Sequence, residues 1–417
     1  MRKRVTKNTI FLSAVIFIFW ISFFPEPLKG IFSRQIILIS WALLILALLD
    51  NGFRKKEIFF DTPAKFLWAY LALMSVNLWF SGNTRVSLDF YKDLILFAIP
   101  AYFLIKGRLE AERIKNALYI FVVCAAIVSF IGFLEMIFSR NFIYEKLVEN
   151  YFYHRYIIYQ RMMSTLIHPN ILGAYLITAV PAAYYFYKTG RNKPLNLAMF
   201  LLIASALFLT FSRGTWVSLF LMLSVWLWLK KRKRWIAVIW LAFLLFSLFA
   251  ALPFIPEYIK LRFGFNHLWE YFIRGHRTLA YFITFNVLKE HPMAGIGLNN
   301  YRMLFSQYSN IKLPHEVMIT DSVYLMHLAE AGITGFIGFA AFLWFALKNG
   351  FYCYKKFSDD KKEISLALLL GFMALLFNMA SFDGFLWKTT FYLFWLFAGL
   401  LAALYRDSYC SATLSQE

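Results

Sequence analysis

Apolar stretches of about 15–25 residues recur along the whole chain, and no polar stretch between them is long enough to fold alone. That pattern leaves few folds. In lipid, a segment of this kind can satisfy its backbone N–H and C=O groups only as a helix, so the chain reads as all-α. It is expected to be a polytopic integral membrane protein, one membrane domain over residues 1–417, with about 12 transmembrane helices. Their approximate spans are 9–24, 33–49, 64–80, 90–105, 114–138, 169–187, 195–211, 215–230, 235–255, 321–347, 364–381 and 386–405. Composition agrees: the chain is 61% hydrophobic and only 16% charged, too little polar surface for a soluble domain. The first run begins near Ile10 and has no small-residue cleavage site, so it reads as a retained helix rather than a signal peptide. No repeat supports inverted symmetry.

The net charge of +20 would suit nucleic acid, but its distribution excludes that partner. The basic residues sit in short connections: Arg2 to Arg4, Arg54 to Lys56, Lys106 to Lys115, Lys188 to Lys193, Lys230 to Arg234 and Lys355 to Lys362. The alternate connections carry only Lys29, Arg34, Arg85, Lys92, Arg213 and Lys388. Such asymmetry is a topology signal, and it puts both termini in the cytoplasm. The long connections 139–168 and 256–320 then lie outside, with Arg213, Arg277, Arg302 and Asp321. The longer one is rich in aromatic residues, so it is not read as disordered. Residues 277–290 suit a helix with apolar positions at Leu279, Phe282, Ile283, Val287 and Leu288. Pro292, Gly295 and Gly297 then stop it, giving a lid on the membrane face.

Four motifs share that outer face. In Thr210-Phe-Ser-Arg213-Gly214, Arg213 either snorkels to the interface or forks onto a diphosphate. Arg274 and Arg277 flank Gly275-His276; they are either a solvated pair or an anion clamp, and Arg277 also opens a helix whose free N–H groups favour anions. In His291-Pro-Met-Ala-Gly295-Ile-Gly297-Leu-Asn-Asn, no strand precedes the glycines, so a turn is read rather than a nucleotide loop, and Arg302 just after it is a further anion candidate. Asp321 begins a long apolar helix, as its N-cap, as a general base, or as both. His315 and His276 are competing bases. Arg161, Ser164, Thr165, His168 and Asn170 close the first long loop, where Asn170 or Thr165 is expected to cap the next helix. Glu135 and Glu330 are intramembrane acids, a type usually functional or paired, without an assigned role. The three cysteines, Cys124, Cys353 and Cys410, show no disulfide or zinc spacing. With no external Asp-x-Asp or His/carboxylate cluster, neither a metal nor another cofactor is expected.

In order, spacing and shared face, these residues resemble the O-antigen ligase and Wzy-type polymerase superfamily. The resemblance covers residues 60 to 400, and its motifs lie between 161 and 335. They are the arginine turn at 210–214, Gly-x-Arg277 before an amphipathic helix, the 291–301 segment, and Tyr324-Leu325 leading to Ala329-Glu330-Ala-Gly332-Ile-Thr-Gly335. It implies a metal-independent membrane glycosyltransferase with a GT-C-type fold in the bacterial inner membrane, working on the periplasmic face. Its donor would be a glycan on undecaprenyl diphosphate, with Arg213 and Arg277 holding the diphosphate. Its acceptor would be lipid A–core for a ligase, or another lipid-linked glycan for a polymerase. Many ligases carry a histidine where this chain has Asp321; related cell-wall polymerases look to use an external Asp. A polysaccharide transporter or flippase is the rival reading from another class. Transporters, however, gather polar groups near the bilayer midplane rather than at one face.

Overall fold

The computed structural model describes residues 2–24, 35, 37–45, 59–138, 161–249, 276–309 and 319–413. Every regular element among these residues is helical. The order is α1 (Arg2–Phe23), α2 (Thr62–Asn77), α3 (Thr84–Asp93), a π-helical turn (Leu94–Ala98) that runs into α4 (Ile99–Arg108), α5 (Ala111–Phe138), α6 (Pro169–Thr189), α7 (Lys193–Leu209), α8 (Arg213–Leu229), α9 (Arg234–Phe249), α10 (His276–Glu290), α11 (Val323–Lys356), α12 (Asp359–Met379) and α13 (Lys388–Thr413). Of the 139–168 and 256–320 connections, residues 139–160, 256–275 and 310–318 lie outside the described residues.

Local chemistry starts these helices. Asp61 accepts the Ala64 N–H at 2.9 Å with Pro63 in the first turn of α2. Asn192 does the same for Leu195 in α7, ahead of Pro194. Short polar side chains fill the orphan donors at a helix start, and proline there forfeits no bond.

Among the described residues, four helices are long and apolar enough to cross a membrane: Ala111–Phe138, Val323–Lys356, Asp359–Met379 and Lys388–Ser408. Shorter apolar helices occupy Ala14–Phe23, Lys193–Leu209, Arg213–Leu229 and Arg234–Leu245. The twelve crossings and the GT-C-type arrangement stay expectations. The 17 residues of α7 and of α8 reach only about 25 Å, short of the roughly 30 Å hydrocarbon core.

Helices α12 and α13 form the centre, with 83% and 89% of their apolar windows buried; α5 and α11, at 56% and 50%, keep one face outward. Outward apolar side chains such as Ile137 and Trp344 on these two helices are what lipid, rather than water, would cover.

Ion pairs among the described residues lie at both ends of the bundle. At one end Lys230 pairs with Glu363, Lys115 with Asp360 and Lys106 with Asp61. Arg406 there donates to the Leu109 carbonyl, and Asp407 accepts the Ala111 N–H. The opposite end holds the starts of α6, α8, α10, α11 and α13, and it carries the candidate site.

Candidate functional site

The site is built around the connection between α12 and α13. Arg277, in the first turn of α10, donates from Nε to Asp321 Oδ2 at 3.2 Å and from Nη2 to the Ser381 carbonyl at 2.9 Å. Both partners of this ion pair are mostly covered, with side-chain exposures of 29% and 14%. Gly214 packs on the same Ser381: a Cβ at that glycine would lie 2.0 Å from Ser381 Oγ. Only glycine allows that approach, so the residue after Arg213 and the carbonyl held by Arg277 meet at one point. Arg213 itself is the first residue of α8, where free N–H groups add to the field of its guanidinium.

The turn that presents Arg213 is held from several sides. Phe211 takes the left-handed conformation at φ 47°, and Ser212 N–H donates to Thr210 Oγ1. Arg161 donates from Nε to the Thr210 carbonyl at 2.8 Å and from Nη2 to Asn170 Oδ1 at 3.0 Å. Arg161 is 6% exposed; with Asn170 it braces the Arg213 turn. His168, not Asn170 or Thr165, is the N-cap of α6, its Nδ1 accepting the Asn170 N–H. Thr165 instead donates to the Ser22 carbonyl. Tyr324 donates to the Leu376 carbonyl at 2.8 Å and so ties α11 to α12.

Asp321 is not the cap of α11. Ser322 is, its hydroxyl accepting the Leu325 N–H, while Asp321 sits in the left-handed region at φ 49°. Aspartate tolerates that backbone better than most residues, and the geometry turns its carboxylate toward Arg277 instead of the helix start. His315 and Arg274 lie outside the described residues, as does the side chain of His276. Arg302 is exposed and contributes favourable charge to Asp383.

Asp383 is a site residue that the sequence reading missed. It is 2% exposed and accepts from Thr320 Oγ1 at 3.3 Å. Burial, and then the neighbouring Asp321, push its carboxyl up to about 7. Its only signal in the sequence is a lone acid in a short connection on the same face as Arg213 and Asp321.

The other missed feature is a break in α11. Gly332 has φ 64° and ψ −169°, and a Cβ there would lie 2.4 Å from the Met293 carbonyl oxygen. The 292–297 segment enters this break. Ile296 and Gly297 N–H donate to the Ala329 and Glu330 carbonyls, and Ile333 and Thr334 N–H donate to the Pro292 and Met293 carbonyls. Glu330 completes the clasp: its two carboxylate oxygens accept the Asn299 and Tyr301 N–H groups at 2.7 and 3.1 Å. Asn77 of α2 donates to the Ala294 and Glu330 carbonyls. An open helix in lipid would leave these backbone groups unsatisfied, and the loop supplies their partners. Glu330 is therefore a structural clasp, and the glycine-rich segment is the turn that the sequence suggested.

Through this clasp α10 is held against α11. Ile283 and Val287 of α10 form a small core with Ile296, Tyr301 and Ala329. Ala280, Ile283, Thr284 and Val287 face inward, whereas Phe282, expected on the apolar face, is 63% exposed beside Tyr281 and Phe285.

Fold and site together define a helical protein with helices long and apolar enough to cross a membrane and an arginine–carboxylate centre at one end of its bundle. Residues 198–340 match the family described as O-antigen ligase, a match that spans α8, the described part of the long connection and the first half of α11. It supports the O-antigen ligase/Wzy superfamily and, in general terms, a membrane glycosyltransferase-like activity of ligase or polymerase type. With the apolar helices it points to a bacterial inner-membrane protein. No curated protein matches the chain.

Proposed function

We propose that this protein transfers a glycan from undecaprenyl diphosphate to an acceptor hydroxyl on the periplasmic face of the inner membrane, as an O-antigen ligase using lipid A–core. The observation that carries the reading is the Arg277–Asp321 pair beside the Arg213 turn. Arg213 and Arg277 bind the donor diphosphate, whose charge grows as the glycosidic bond breaks. Arg302, and Arg274 from the long connection, are secondary anion contacts, and His315 is the reserve base. Arg277 cannot serve diphosphate and carboxylate equally, so donor binding draws it from Asp321 and frees that carboxylate to take the acceptor proton. Base and diphosphate on opposite sides of the anomeric carbon invert it. Arginine and carboxylate side chains supply this chemistry without a metal.

Asp321 in place of the ligase histidine favours Wzy-type polymerisation of lipid-linked repeats as the second reading. Transport is disfavoured: at the broken helix, the carbonyls of Ala329 and Glu330 and the N–H groups of Ile333 and Thr334 are occupied by the chain's own loop, whereas transporters use such groups for substrate. The deciding experiment compares surface glycans in a deletion strain. Loss of all polymer from lipid A supports the ligase; single repeats left on the anchor support the polymerase; unchanged glycans overturn both.

A further inference from the structure

A near-fully buried carboxyl needs a partner or a proton. Asp383 Oδ2 has the Thr320 hydroxyl, but Oδ1 has no hydrogen-bond partner among the described residues. Besides the Thr320 hydroxyl, the Phe385 backbone N–H and two charged side chains act on this carboxyl. Asp321 and Arg302 act on it from the α11 entry and from the 301–304 turn. Tyr301 and Glu330 feel its charge in return. Two residues away, the Ser381 carbonyl accepts from Arg277, the ion-pair partner of Asp321.

We propose that Asp383 is a positioning residue that shares one proton with Asp321, so that the pair, rather than Asp321 alone, is the proton acceptor in transfer. The inference rests on the transfer reading above. Two neighbouring carboxylates resist ionising together, and the second charge raises the proton affinity of the first. With Arg277 drawn away by diphosphate, the doubly ionised pair is a stronger base than a lone aspartate. In the step itself the acceptor O–H breaks as its oxygen bonds the anomeric carbon. The bond to diphosphate breaks with its electron pair on the phosphate oxygen, and the proton passes to the carboxylate pair. Arg302, on the exposed side, offsets the charge of the ionised pair.

The test uses full-length protein in detergent with a synthetic lipid-diphosphate glycan, assayed from about pH 5 to pH 9. Wild-type transfer should rise with pH through about 7, where Asp383 titrates. Asp383→Asn should move that limb toward the ordinary carboxylate range and lower the plateau about 10-fold. Asp383→Glu should keep the limb. Arg302→Gln, a surface change, should move it to higher pH, which a merely structural role for Asp383 would not produce. A measurement without substrate runs beside it. The folded protein holds a proton on Asp383 that the unfolded chain releases above about pH 4, so wild-type melting temperature should fall relative to Asp383→Asn as pH rises from about 4 to about 7. An unmoved limb in Asp383→Asn and Arg302→Gln, with parallel melting profiles, overturns the proposal. If the wild type transfers at no pH, the transfer reading falls, and the melting profiles still decide whether Asp383 holds the proton.

Discussion

At the scale of single residues the site divides into groups that bear charge for chemistry and groups that hold them. In the proposed transfer, Arg213 and Arg277 are assigned to the first kind. Arg213→Ala and Arg277→Ala should each remove about 2–4 kcal/mol of transition-state stabilisation, the range for one preorganised charge-stabilising donor. Lysine should restore only part of it, lacking the fork geometry. Transfer at the parent rate by well-expressed alanine variants would place the diphosphate elsewhere. Asp321 can be tested cleanly because Ser322, not Asp321, caps α11. Asp321→Asn keeps an acceptor oxygen for Arg277 but loses the ion pair, so it should lower melting without unfolding the helix start and reduce transfer about 10²–10⁴-fold. Ser322→Ala should instead lower stability by about 1 kcal/mol with little change in rate per folded molecule. Arg161, buried under the Thr210 carbonyl, belongs to the holding kind.

Among the elements, α11 decides how the external segment meets the membrane. A helix broken at Gly332 and refilled by 292–297 is one folding unit with the loop, because each supplies the other's missing hydrogen bonds. Gly332→Ala places a side chain in the left-handed region and against the Met293 carbonyl, so it should destabilise by at least about 1–3 kcal/mol. Glu330→Ala should lose about 1–3 kcal/mol by orphaning the Asn299 and Tyr301 N–H groups. Thermal melting in detergent measures both, and limited proteolysis should find the 291–301 segment cut faster in each variant. Resistance equal to the parent's would show that the clasp is dispensable. Glu330→Gln should fall between, since the amide has one acceptor oxygen for two donors.

Over the whole molecule, the Lys230–Glu363, Lys115–Asp360 and Lys106–Asp61 pairs sit at one end of the bundle, and the arginine–carboxylate centre and the Lys388–Asp93 pair at the other. If the basic connections are cytoplasmic, as their charge proposes, the centre is expected to face the periplasm. Cysteine scanning tests this in intact cells. Ser306 and Thr189 are exposed at opposite ends, the native Cys124 and Cys353 are buried, and the third cysteine, Cys410, is replaced by serine in the background. A membrane-impermeant thiol reagent should label Ser306→Cys in intact cells and Thr189→Cys only after lysis; the opposite pattern would invert the topology. The sequence by itself determined the helical class, because apolar runs of that length in lipid have no other way to satisfy their backbone. It placed the starts of α6 and α11 to within a residue or two but not their caps, which are His168 and Ser322 rather than Asn170 or Thr165 and Asp321. It marked Arg213, Arg277 and Asp321 by charge in an apolar chain. Only the tertiary structure decided that Arg277 meets Asp321 across 44 residues and that Asn77 bonds Glu330 across 253. The same holds for the burial of Asp383 beside Asp321 and for the role of Glu330 as a clasp. Hydrophobic periodicity suggests which face of a helix turns inward, though Phe282 of α10 turned out exposed, and it does not say which distant segment meets that face. That choice belongs to packing, and the proton and charge states of the site follow from packing.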